Sequence, residues 1–94
     1  MIVSVDELKA HLRVQDTEED SLMESLLLQA QAAANDYCRT AYDAEAPEPV
    51  RLAVLLMASH FYENRDNSDK AAFVTMQMAF HALLYPHRTI EDMF

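Results

Sequence analysis

Residues 49–62 read Pro-Val-Arg-Leu-Ala-Val-Leu-Leu-Met-Ala-Ser-His-Phe-Tyr, and this stretch decides the fold. Pro49 suits the first position of a helix, where a missing N–H has no partner to lose, and it holds Glu48 extended. From Val50 to Tyr62 apolar side chains fall on nearly every side of a 3.6-residue period: Val50, Leu52, Ala53, Val54, Leu55, Leu56, Met57, Ala58, Phe61 and Tyr62. A helix that is apolar all round is buried all round. The chain has 94 residues, enough for one domain over 1–94 and one modest core. Three neighbours hardly enclose a helix completely in so small a domain. One face of it is therefore expected to meet another subunit.

On the N-terminal side, Ser4 and Glu7 form a capping box, so a first helix starts at Val5 and ends near Arg13, with Val5, Leu8 and Leu12 on one face. A second box, Asp16 with Glu19, opens the longest helix, from about Thr17 to about Arg39. Glu18, Glu19 and Asp20 sit in its first turn, where the helix dipole favours negative charge. Leu22, Met23, Leu26, Leu27, Ala30, Ala33, Ala34, Tyr37 and Cys38 make its apolar stripe. The alanines from Ala32 to Ala34 leave room for close approach by another helix. Ala41 to Glu48 is a linker.

On the C-terminal side, Glu63 to Asp69 is a polar breaker. A fourth helix runs from about Lys70 to Leu84 with Phe73, Met76, Phe80, Leu83 and Leu84 on one face, and Pro86 ends it. The tail, residues 87–94, is short and finishes in Met93-Phe94. Those two either dock on a partner or stay unstructured, with the balance slightly toward docking. The expected fold class is all-α: a small bundle of about four helices with a long second helix and a buried third.

Composition supports helices and excludes several functions. Glycine is absent, which removes the residue that primed hairpin turns and phosphate-binding loops need. The apolar share is 51%, slightly high for a soluble domain, and the surplus points again to contacts between subunits. The net charge is −9 with only seven basic residues, so duplex DNA and anionic membranes are repelled. Cys38 is the only cysteine, so no intramolecular disulfide forms, as suits a reducing cytosol. Met1 to Asp6 has neither a basic region nor a long apolar one, so no signal peptide is expected.

No catalytic constellation emerges. His60 and Glu63 lie one helical turn apart, a spacing found in carboxylate metal sites, but the second Glu-x-x-His partner is missing. His11, His81 and His87 share no ligand spacing. Cys38 continues an apolar stripe and reads as a buried structural thiol. The carboxylates cluster at helix starts, where capping accounts for them. The expectation is no enzyme, no metal and no cofactor.

The succession of these pieces resembles the head–tail connector (head-completion adaptor) family of tailed bacteriophages. The resemblance rests on the capped opening Val5-Asp6-Glu7-Leu8-Lys9-Ala10-His11-Leu12-Arg13-Val14 and on the acidic start Asp16-Thr17-Glu18-Glu19-Asp20-Ser21-Leu22. It continues through Tyr37-Cys38-Arg39-Thr40, the His60-Phe61-Tyr62-Glu63-Asn64-Arg65 signature and the Leu83-Leu84-Tyr85-Pro86-His87-Arg88 element. Each piece alone is weak; their order is fairly specific. Two departures stand out: family members often carry glycine after the long helix, and many are less helical before the final Leu-Leu.

The resemblance implies a structural adaptor made in the bacterial cytoplasm and carried in the virion. Such adaptors form a homo-oligomeric ring, commonly dodecameric, beneath the portal protein of a filled head. They extend the DNA channel and offer a platform to stopper or tail-completion proteins, with no membrane involved. DNA passes through without specific binding, because a ring of acidic subunits repels phosphates. The residues expected at subunit or partner interfaces are Glu63 and Arg65, at the end of the buried helix, and Arg88, Ile90, Met93 and Phe94 in the tail. A plain helix-end ion pair is an equal reading of Glu63 and Arg65. The rival function is a generic helical interaction or regulatory module of a mobile element, which would form a stable dimer without portal affinity.

Overall fold

The structure is a computed structural model that describes residues 1–64 and 69–88. Its elements are α1 (Val5–Leu12), α2 (Asp20–Cys38), α3 (Glu48–Glu63), α4 (Lys70–Leu84) and a final 3₁₀ turn (Tyr85–His87). There is no strand among the described residues, and the all-α bundle of four helices is as expected. None of its helices is long and apolar enough to cross a membrane, among the described residues.

Local chemistry explains most helix ends. Both halves of the α1 capping box form: Glu7 N donates to Ser4 Oγ at 3.1 Å, and Ser4 N donates to Glu7 Oε1 at 3.3 Å. Without glycine, arginine takes the left-handed position after two helices, Arg13 at φ 60° and Arg39 at φ 57°. Val14 N then reaches Lys9 O at 2.9 Å and Thr40 N reaches Asn35 O at 3.1 Å, each closing the last turn of its helix. At α4, Asp69 accepts from Ala72 N at 3.0 Å and caps the helix.

Two helix starts differ from expectation. Asp16 does not cap α2; its carboxylate accepts from Glu18 N at 3.2 Å in a local turn, and the helix begins only at Asp20. Asp and Asn side chains readily close such two-residue turns, and here the turn outcompetes the cap. At 19 residues α2 is about 28 Å long, shorter than the sequence suggests. At α3, Glu48 is already helical, with Pro47 as N-cap and Pro49 in the second position. That position tolerates proline too, because the amides of a first turn have no helical acceptor.

α3 is the central element. It packs against α2 and α4 above all, and also against α1. Val50, Ala53, Val54, Met57 and Ala58 are buried there with Met23, Leu27, Ala30, Ala34 and Cys38 of α2, Leu8 of α1, and Met76, Phe80 and Leu84 of α4. The core also takes Ile2 and Val3, which the sequence pattern leaves outside any helix.

Candidate assembly surface

What surface the bundle offers depends on what its polar networks hold down. Arg51, the one basic residue in the buried stretch, ties the N-terminal half together. Its Nη1 donates to Ile2 O at 2.7 Å and to Ala44 O at 3.1 Å, and its Nη2 pairs with Glu7. Ile2 N in turn donates to Gln31 Oε1 on α2, so the N-terminal segment is pinned from both sides. Burial raises the Glu7 pKa, but the Ser4 amide and Arg51 outweigh it and hold the carboxyl below its usual range. Lys9 bonds Asp20 at 2.9 Å, and Tyr62 donates to Glu19 at 2.6 Å, fixing the start of α2.

A second network fixes the C-terminal end. The His81 ring stacks on Tyr37 with centroids 4.6 Å apart. The Arg88 guanidinium lies 4.6 Å from the Tyr37 centroid, and its Nε donates to Tyr37 O at 2.9 Å. Tyr42 donates its hydroxyl to His87 O at 3.2 Å. Arg88, expected at an interface, thus anchors its own chain to the end of α2. Cys38 is buried with its thiol toward Leu84 O, and burial pushes its pKa up, against a smaller lowering by Arg88. A thiol in that state is a packing group, a poor nucleophile.

Glu63 is exposed at the end of α3. Arg65, Ile90, Met93 and Phe94 lie outside the described residues. His60 does not join Glu63 in a cluster: its ring lies among Phe61 and Phe73, and Asn64 Nδ2 donates to its carbonyl at 2.9 Å. Among the described residues no three His, Cys, Asp or Glu side chains come together as a metal site.

The uncovered apolar surface is not where the sequence pattern puts it. α3 keeps Leu52 exposed at 49%, with Leu55 and Leu56 half-buried, so its open side is narrow. The broader face belongs to α4 and the turn after it, where Val74 is 54%, Met78 68% and Tyr85 67% exposed. From Ala71 to Leu84 this helix carries no carboxylate, lysine or arginine, whereas the exposed acids sit on α1, α2, α3 and the loops. Periodicity does pick the inner side of α4, since Met76, Phe80, Leu83 and Leu84 pack inward as expected. Phe73, expected on that side, is 39% exposed, and the pattern leaves the bare opposite face unmarked.

The described residues form a glycine-free four-helix bundle whose outer helix carries no charge after Lys70, with the exposed acids on the other elements. The sequence model of one family, described as phage gp6-like head-tail connector protein, matches residues 2–88. The chain belongs to that family, a structural one of the phage virion. No curated protein and no solved structure shows a significant match.

Proposed function

We propose that the chain is a ring-forming adaptor that sits beneath the portal of a DNA-filled head and joins it to stopper or tail-completion proteins. The observation that carries this reading is the family match across residues 2–88, almost the whole bundle. The physics agrees with it. A net charge of −9 lets a channel lined by these subunits pass DNA without holding it. An apolar residue such as Leu52, open on α3, offers a seat to a neighbouring subunit in a head-to-tail contact that closes into a ring.

Glu63 and Arg65 form ion pairs within or between subunits. Arg88, bonded to Tyr37, fixes the point from which Ile90, Met93 and Phe94 reach the portal. Electron microscopy of the protein mixed with purified portal tests the whole reading: rings on the portal are expected, and none at high concentration would overturn it. Intact rings from Arg65→Ala would remove that residue from the contact. Undiminished portal attachment after deletion of residues 89–94 would remove the tail.

A further inference from the structure

The outer face of α4 has no cover within the described residues, and its pattern is symmetric. Ala71, Val74, Met78, Ala82 and Tyr85 are all exposed, and at 100° per residue they share an arc of about 80°. Their spacing is three, four, four and three residues, the same in both directions from Met78. Laid antiparallel on a second copy, with a two-fold axis at Met78, Ala71 falls opposite the second copy's Tyr85 and Val74 opposite its Ala82. Each larger side chain meets a smaller one, and Met78 meets itself. Such alternation lets two helices interdigitate closely.

Charge selects the same occupant. At −9 per chain, two copies repel unless they meet through a face without charges, and this is the helix that has one. A basic or acidic partner would find nothing on it to pair with. The antiparallel arrangement also sets each positive helix start beside the other's negative helix end, and brings Asp69 level with the second copy's His87.

We propose that copies of this chain pair through α4, antiparallel and two-fold about Met78. The contact is isologous: it closes on itself and cannot propagate round a ring, so it is separate from the head-to-tail contact proposed above. It gives the subunit a way to cover its apolar face before assembly. Loss of pairing and loss of portal binding are accordingly separate results.

The test uses the full chain. A Met78→Cys variant, oxidised in dilute solution, is expected to form a disulfide-linked dimer, because a residue on the axis faces its own copy within bonding range. Ala71→Cys is expected to give none alone, since its two copies lie roughly 20 Å apart along the helices. Ala71→Cys mixed with Tyr85→Cys is expected to link. By sedimentation, Met78→Glu is expected to weaken the dimer at least about tenfold, because it sets two carboxylates face to face on the axis. An unchanged circular dichroism spectrum would show that it still folds. A monomeric wild type, the absence of a Met78→Cys dimer, or equal self-linking by Ala71→Cys would overturn the proposal.

Discussion

α3 and α4 are both rich in apolar residues, and α4 has the fewer charges, yet α3 is enclosed and α4 is half bare. Met57 on α3 is 5% exposed while Met78 on α4 is 68% exposed. The difference comes from place in the topology. α3 packs against α2, α4 and α1, whereas α4 closes the bundle and has α3 as its main neighbour. Hydropathy says how much apolar surface a helix has; the number of neighbours says how much of it stays dry. For an assembling protein the informative helix is the one where the two disagree.

The sharpest way to break this comparison is to truncate the two methionines in parallel. Met57→Ala should cost about 2–5 kcal/mol, through lost transfer energy and a cavity, whereas Met78→Ala should stay within about 0.5 kcal/mol in dilute solution. Urea unfolding followed by circular dichroism measures both, and equal losses would mean that the α4 face is covered within the chain.

The next effect concerns what encloses α3. Replacing Arg51 with methionine removes the guanidinium donor from the Ile2 carbonyl and from Glu7, which keeps only its bonds to Ser4, and a loss of about 2 kcal/mol is expected. A change near zero would show that the N-terminal segment is held by burial of Ile2 and Val3 alone.

Glu7→Gln should cost up to about 1 kcal/mol at neutral pH, mainly by removing the charge that faces Arg51, since a glutamine oxygen can still accept from the Ser4 amide. Because the folded carboxyl titrates below its unfolded range, its contribution is present above that range and disappears as pH falls through the folded value. The stability difference between wild type and Glu7→Gln should therefore shrink on acidification below about pH 4.3, the ordinary glutamate value. A pH-independent difference would remove the ionised pair from the account.

The smallest effect has the opposite sign. Ser59, buried on α3, has a hydroxyl with no hydrogen-bond partner among the described residues. Ser59→Ala should stabilise the fold by about 0.5–1 kcal/mol, since an unpaired buried hydroxyl carries an uncompensated desolvation cost. A rise in the unfolding midpoint at unchanged slope is the expected reading; a fall would mean that the hydroxyl has a partner.

Much of this architecture was legible without coordinates. The Ser4–Glu7 box, the α4 limits from Lys70 to Leu84 and the α2 stripe are local signals, written in neighbours three or four residues apart. The family could be read from the order of short motifs. The start of α2 misled because an Asp can close a turn or cap a helix, and the two look alike in sequence. Arg51 was invisible as a tie, since its partners Ile2 and Glu7 lie 49 and 44 residues away. Of the expected interface residues, Arg88 found an internal role on Tyr37 that no spacing signals.

By itself, then, the sequence determined that this chain is helical, where most helices begin and end, that it is strongly acidic, and to which family it belongs. These follow from dihedral preference, capping and net charge, which act within a few residues or over the whole surface. Only the tertiary structure decided that Ile2 and Val3 belong to the core and that Arg51 binds the N-terminal segment. It alone showed that the bare apolar face lies on α4, because burial is a property of which helices become neighbours.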